Sequence, residues 1–144
     1  MPTKVISRHL GDLVARTLNT ARVINIVGPR QAGKTTLVRA MIRSSRFLSL
    51  DDESLFASLT LDPYGQLSAL SEIADKKGLP IVIDEVQRLP RITLAIKRIV
   101  DHVRRPGQFV LTGSSDIFST PKALDTLAGR VSTLILRPLS VAEI

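Results

Sequence analysis

The sequence predicts an α/β fold, a three-layer sandwich in which helices cover both faces of a mostly parallel five-stranded sheet. Apolar runs of strand length alternate along the chain with segments of helical periodicity. A glycine-rich loop follows the first run, and two adjacent carboxylates end the third. Because strands that alternate with helices are joined by right-handed crossovers, consecutive strands should lie parallel.

In chain order, the first predicted element is an amphipathic helix over residues 6–18, whose apolar side chains recur every three or four positions. Its apolar face is expected to pack on the edge of the sheet. The β-branched run 23–27 is the first strand, and residues 34–44 form the helix that the glycine loop opens. The short apolar run 46–50 is the second strand.

Two helices, 54–60 and 63–76, are expected next, and Pro63 suits the first turn of the second because that position needs no N–H donor. The third strand covers residues 79–85. The helix predicted at 91–104 has a broad apolar face, which indicates burial against the sheet. The last two strands are expected at residues 108–112 and 131–136.

The loop after the first strand reads Gly-Pro-Arg-Gln-Ala-Gly-Lys-Thr, a complete G-x-x-x-x-G-K-[ST] phosphate loop. Its backbone N–H groups and the N-terminus of the next helix are suited to bind phosphate oxygens. Lys34 is expected to reach the β- and γ-phosphates, and the Thr35 hydroxyl to hold Mg²⁺. The alternative is an ordinary glycine-rich turn. The candidate nucleotide-binding residues are Gly28, Pro29, Arg30, Gln31, Ala32, Gly33, Lys34, Thr35 and Thr36.

The third strand ends in Asp84-Glu85, which is typical of a Walker B element. Asp84 would hold Mg²⁺ at the carboxyl edge of the sheet, where ligands bind in open α/β folds. Glu85 is placed to orient or deprotonate an attacking water, which favours hydrolysis over transfer to a second substrate. Both residues could instead simply mark the exit of a strand. No guanine-reading [NT]-K-x-D string follows the loop, so ATP is the expected nucleotide.

Two further residues are candidates for sensing the γ-phosphate. Ser114 follows the strand expected to lie between the phosphate-loop strand and the Walker B strand. Turn chemistry alone would also select a Gly-Ser-Ser sequence there. Arg130 precedes the last strand and could act as a sensor or as an arginine finger for a neighbouring subunit, or be a surface cation.

The chain of 144 residues is predicted to be one P-loop domain, with an N-terminal helix in residues 1–20 and a nucleotide-binding core in 21–144. It has no cysteine, which excludes disulfides and cysteine-based zinc sites. It also lacks a signal-like or bilayer-length apolar stretch, so a cytoplasmic location without membrane contact is expected. Ser140 to Glu143 fit a capping box that opens a helix, which predicts a longer protein truncated here at its C-terminal side.

The net charge of +7 is concentrated in the first 50 residues, which contain nine Lys and Arg and one acidic residue. A nucleic-acid partner is therefore left open. The aromatic content of 3% offers almost no platform for stacking unpaired bases. Solvated helix positions and nucleotide contacts are the competing explanation for these cations.

These motifs, in this order, resemble the AAA-type ATPase domain of a prokaryotic family whose members carry a C-terminal domain of unknown function. The resemblance implies an AAA-like P-loop NTPase fold, ATP as the ligand and a role for Gln87 in reading the γ-phosphate. The strings that support it are Gly28 to Leu37, Leu50-Asp51-Asp52, Ile83 to Pro90, Leu111 to Ser115 and Leu127 to Arg130, with Pro138-Leu139-Ser140.

The leading hypothesis is a magnesium-dependent ATPase in which Lys34, Glu85, Ser114 and Arg130 act in catalysis and Thr35 and Asp84 hold the metal. Self-association is expected if Arg130 serves a neighbour. The second hypothesis is an ATP-gated regulatory or DNA-associated module with little turnover. A small-molecule kinase is the third, although no basic lid segment is visible.

Overall fold

The computed structural model describes residues 11–29 and 33–136. Within them a single five-stranded sheet lies between two layers of helices, as the sequence predicts. The strands are β1 (Val23–Val27), β2 (Arg46–Ser49), β3 (Ile81–Asp84), β4 (Phe109–Gly113) and β5 (Val131–Ile135). Each differs from its predicted range by at most two residues at either end.

The helices include α1, which contains residues 11–18. The others are α2 (Lys34–Met41), α3 (Glu53–Leu61), α4 (Pro63–Lys77), α5 (Ile92–His102) and α6 (Pro121–Leu127). Short 3-10 helices follow β3 (Val86–Arg88) and β4 (Ile117–Ser119). The sequence did not predict α6, because seven residues span too few turns for an apolar period to stand out.

All strand pairs are parallel, in the order β2-β3-β4-β1-β5. Strand β4 therefore lies between the phosphate-loop strand β1 and the carboxylate-bearing strand β3, as expected. Because the strands are parallel, every loop that leaves a strand end meets the others at one side of the sheet, here called the carboxyl edge.

Two apolar cores cover the two faces of the sheet. The larger core contains Ile83, Phe109 and Leu111 of the sheet and is covered by α3, α4 and α5. The smaller core joins Ile24 and Val110 to α1 and α2. Val14 of α1 is buried in this second core, so α1 packs on a face of the sheet and the predicted edge position is wrong.

Local signals fix where the helices begin and end. The side chain of Asp52 caps α3 by accepting from the Leu55 N–H at 3.2 Å. Asp62 caps α4 in the same way, with Pro63 in the first turn. Gly78 ends α4 in a left-handed conformation, φ 69°.

None of the described helices has the length and apolar composition that a membrane span requires.

Candidate functional site

Four predicted site residues meet at the carboxyl edge. Lys34 and Thr35 are the first two residues of α2, while Asp84 ends β3 and Glu85 follows it. Lys34, Asp84 and Glu85 are each at most 5% exposed. Two elements far apart in sequence thus bring a cation, a hydroxyl and two carboxylates into one buried cluster.

Lys34 and Glu85 form a buried ion pair. The Nζ of Lys34 lies 3.2 Å from Oε1 of Glu85, and the two side chains are 2% and 5% exposed. Removing one member of such a pair leaves a buried charge without compensation, at a cost of about 3 to 5 kcal/mol. The lysine expected to bind phosphates is therefore held by the carboxylate expected to act on water.

The backbone at Glu85 explains how both carboxylates reach the same side of the sheet. Side chains alternate between faces along a strand, so an extended Glu85 would point away from Asp84. Instead Glu85 adopts a left-handed conformation with φ 58° and ψ 46°, the one non-glycine residue with positive φ in the described chain. Such a conformation costs on the order of 1–3 kcal/mol and is concentrated at functional sites.

Thr35 and Thr112 both contact the carboxylate of Asp84. Their hydroxyl oxygens lie 3.3 Å and 2.5 Å, respectively, from Oδ1. Thr112 is fully buried on β4, next to β3 in the sheet. Because Thr112 fixes the orientation of Asp84, it is a positioning residue. The sequence named Thr112 only within the string Thr112-Gly113-Ser114-Ser115 at the end of the strand between β1 and β3, from which Ser114 was the selected candidate.

Gln87 connects Glu85 to Ser114. Its Nε2 donates to Oε2 of Glu85 at 2.6 Å and to Oγ of Ser114 at 3.2 Å. Its Oε1 is buried and has no hydrogen-bond partner among the described residues. An amide oxygen in that position requires a donor, such as water. Ser114 is thus brought to the predicted catalytic glutamate, with Gln87 between them.

Glycines at two strand ends allow this close packing. A Cβ on Gly113 would lie 2.6 Å from Oε1 of Gln87, and a Cβ on Gly28 would lie 3.0 Å from the backbone oxygen of Leu136. Gly33 has φ 73° and forms the N-cap of α2. The backbone oxygen of Gly33 accepts from the Leu37 N–H at 2.9 Å.

Some of the remaining predicted loop residues are described by the structure and others are not. Pro29 and Thr36 are exposed beside the cluster. Arg30, Gln31 and Ala32 lie outside the described residues, as do the capping-box segment 140–143 and the string 138–140.

The structure does not bring Arg130 to the other predicted site residues in the same chain. It precedes β5 at the opposite end of the strands, and its Nε and Nη2 donate to the two carboxylate oxygens of Asp101 at 2.5 and 3.0 Å. Hydrogen bonds from Arg130, helped by those from Lys97 and opposed by partial burial, lower the pKa of Asp101 to about 2. Donation of Arg130 to a second subunit stays a prediction.

A buried asparagine on β1 connects that strand to the loop after β4. Asn25 of β1 is 1% exposed and donates to Oδ1 of Asp116 at 3.0 Å. The same oxygen accepts from the Phe118 N–H at 2.9 Å, which holds the short helix after β4. Sequence reasoning missed this contact because one polar residue within an apolar strand names no partner.

The family model for an AAA domain matches residues 20–144, which is most of the chain. The chain belongs to the AAA domain family. This AAA domain is also 36% identical over 138 residues to two uncharacterized proteins, Mb2031c of Mycobacterium bovis and Rv2008c of Mycobacterium tuberculosis. The matched region covers 95% of the chain but only 30% of the length of those curated relatives.

Solved structures share the fold of this AAA domain at low sequence identity. The Walker-type ATPase PABY2304 of Pyrococcus abyssi has a TM-score of 0.59 at 17% identity, over 88% of this chain and 52% of that one. PCH-2 of C. elegans has a TM-score of 0.54 at 21% identity, over 89% of this chain and 40% of that one. DnaA of Aquifex aeolicus bound to AMPPCP has a TM-score of 0.54 at 18% identity, over 88% of this chain and 46% of that one. These structures show that the chain has the P-loop NTPase fold. Together with the family match, the fold supports an ATPase-like, nucleotide-binding type of domain.

The donor set at the carboxyl edge fits magnesium and a nucleotide. Hydroxyl and carboxylate oxygens are the ligands that Mg²⁺ prefers, and it is usually held by one or two carboxylates together with substrate phosphates. Thr35 and Asp84 supply such oxygens. The described residues contain no cluster of three or more His, Cys, Asp or Glu that could hold a metal ion.

Proposed function

We propose that this domain binds ATP with Mg²⁺ and hydrolyses the terminal phosphate bond. One observation carries the proposal: the phosphate-loop lysine and threonine contact the glutamate and aspartate that end β3, at 3.2 and 3.3 Å. A chance phosphate-loop pattern would not require its two polar residues to meet two adjacent carboxylates of another strand.

In the proposed reaction each residue acts by position and charge. Lys34 leaves Glu85 and neutralises phosphate oxygens, while Thr35 and Asp84 hold the metal, which supplies further charge neutralisation. Glu85, once free, orients a water and accepts its proton. Ser114 and Gln87 lie beside Glu85 and restrict where that water can sit. Phosphoryl transfer asks little covalent chemistry of the protein, so placement dominates.

The test measures ATP hydrolysis and ATP binding on the same samples. Glu85→Gln should lose turnover and keep binding, whereas Lys34→Met should lose both. The controls are Glu72→Gln on α4 and Lys122→Met on α6, both exposed and outside the cluster. Turnover that survives in Glu85→Gln would contradict the role given to that carboxylate.

A second candidate function is favoured by the closed state of the cluster. Both oxygens of the Glu85 carboxylate have partners, Lys34 and Gln87. ATP would have to break the first contact, so binding itself could switch the segments after β3 and β4, with hydrolysis incidental. Tight ATP binding with no turnover in the parent chain would support this ATP-gated module, and brisk turnover would count against it.

Self-association is proposed only in connection with Arg130. If a neighbouring copy supplies this arginine, activity per mole should rise over about a hundredfold range of protein concentration, since the finger acts between subunits. Within its own chain Arg130 is held by Asp101, and that pair would have to open first.

A further inference from the structure

The side of the sheet opposite the candidate site carries the opposite charge. Here the term amino edge denotes the segments that precede the strands: residues 19–22, 43–46, 75–80, 101–108 and 128–130. They contain two carboxylates, Asp75 and Asp101, and eight cations: Arg22, Arg43, Arg46, Lys76, Lys77, Arg104, Arg105 and Arg130. The described segments that follow the strands at the carboxyl edge contain six carboxylates, Asp51, Asp52, Glu53, Asp84, Glu85 and Asp116, against the three cations Lys34, Arg88 and Arg91.

The cations are distributed along the whole amino edge. Each of the five strands is preceded, or begun, by at least one Lys or Arg. Since neighbouring strands lie about 4.8 Å apart, the row runs roughly 19 Å from β2 to β5. That length corresponds to between five and six base pairs of duplex, at about 3.4 Å each.

Three of the eight cations form ion pairs, and the other five form none with the described residues. Arg22 and Arg130 contact Asp101, and Arg105 contacts Asp75 at 3.0 Å. The other five cations are exposed and form no salt bridge with any described residue: Arg43, Arg46, Lys76, Lys77 and Arg104. Arg43 and Lys77 also line one cavity of about 390 Å³, together with Ser44 and Leu79.

Helix dipoles account for only part of this excess. The C-terminal ends of α1, α2, α4, α5 and α6 all lie at the amino edge, and each carries about half a negative charge. Five such ends total about two and a half negative charges, against eight cations and two carboxylates.

We propose that the amino edge is a binding surface for the phosphate backbone of duplex nucleic acid, independent of sequence. Six of the eight cations are arginines, whose planar guanidinium groups match phosphate oxygens. The edge segments contain no aromatic residue on which unpaired bases could stack. Val103 is their one exposed large aliphatic side chain, fewer than a helix that lies in a membrane interface presents.

The test is fluorescence anisotropy with a labelled 20-base-pair DNA duplex and an RNA duplex of equal length, without ATP, so that it does not depend on hydrolysis. The parent chain should bind at about 50 mM salt and weaken steeply by about 200 mM. Arg43→Ala with Lys77→Ala should bind at least tenfold more weakly, and the slope of log affinity against log salt should fall by about 2.

The matched control is Arg91→Ala with Lys122→Ala, which removes the same charge from a cavity beside α5 and α6. The control pair should bind nearly as the parent does, and circular dichroism should show that both pairs are folded. If the two double variants weakened duplex binding equally, net charge alone would explain the effect and the proposal would be overturned. Failure of the parent to bind either duplex, or equally tight binding of polyglutamate or of phosphatidylserine vesicles, would also overturn it.

Discussion

Lys34 and Glu85 hold each other in the described structure, and this contact has a measurable consequence for stability. We expect Lys34→Met and Glu85→Gln each to lower the free energy of unfolding by about 3 kcal/mol, because each leaves a buried charge unpaired. The double variant should lose less than the sum, since neither charge then remains. Urea unfolding without nucleotide measures all three. Strictly additive losses would mean that the two groups do not interact.

The hydrogen bonds of Gln87 indicate that it positions Glu85: its Nε2 donates to Glu85 and Ser114, while its buried Oε1 has no partner among the described residues. Gln87→Met keeps the approximate shape but removes the contacts to Glu85 and Ser114, so the turnover number should fall roughly tenfold or more. ATP affinity should stay unchanged, because Gln87 contacts no residue of the phosphate loop that the structure describes. Steady-state kinetics and equilibrium binding separate the two effects.

The control for this substitution is Gln66→Met on the exposed face of α4. It makes the same chemical change away from the cluster and should leave both parameters as they are. A Gln87→Met protein with parental turnover would show that the amide does not help to place Glu85.

At the site, the sequence was enough to predict four of the residues that meet, but it did not select Thr112, it added Arg130, and it was insufficient to predict how the four meet. The phosphate-loop pattern and the Asp-Glu pair name Lys34, Thr35, Asp84 and Glu85 because their chemistry fixes both residue type and spacing. The left-handed turn at Glu85 could not be predicted, since it depends on packing that a strand pattern does not encode. The contact of Gln87 with Ser114 joins residues 27 positions apart and follows only from the strand order.

Among the elements, β4 and the short helix after β3 pack closely at Gly113 and Gln87. Gly113→Ala would place a methyl group 2.6 Å from Oε1 of Gln87, which must then move. We expect turnover to fall as in Gln87→Met, with ATP binding retained. The combined variant should be no slower than either single one, because both act through the same amide.

The comparison variant for the junction is Gly11→Ala in α1, where the new methyl would make an ordinary contact with Met41 at 3.6 Å. It should leave turnover unchanged. If the losses of turnover from Gly113→Ala and Gln87→Met were additive in the combined variant, the glycine substitution would not act through the Gln87 amide.

The elements themselves divide by how strongly local sequence determines them. The five strands were predictable because β-branched and apolar runs are bounded by turn residues, and α4 because a capping Asp62 precedes Pro63. The predicted ends of α2 and α5 were two or three residues too late. Both helices are followed by a residue in an extended conformation, Ile42 and Val103, which helical periodicity cannot anticipate.

For the molecule as a whole, Asp101 links three elements: it contacts Arg22 before β1, Lys97 within α5 and Arg130 before β5. Its pKa is lowered from 3.8 to about 2, chiefly by hydrogen bonds from Arg130. A lowered pKa stabilises the folded state above the unfolded pKa, and this contribution is lost as pH falls from 3.8 towards about 2. Asp101→Asn should therefore be less stable than the parent at neutral pH, with a difference that shrinks over that acid range.

Urea midpoints at a series of pH values measure this difference. Asp125→Asn on the exposed side of α6 is the control, because Asp125 forms no salt bridge with the described residues. A gap between Asp101→Asn and the parent that stays constant down to pH 2 would contradict the linkage.

The position of β1 in the sheet also determines when this domain can become functional during its synthesis. Within the sheet β1 pairs only with β4 and β5, and Val23 lies opposite Phe109 and Val131. A ribosome that adds about 5–20 residues per second produces Phe109 roughly 4 to 17 s after Val23. Until then the phosphate loop follows a strand with no partner, and the apolar side chains of β1 remain available to chaperones. Nucleotide can therefore bind to the nascent chain only late, after β4 has been made.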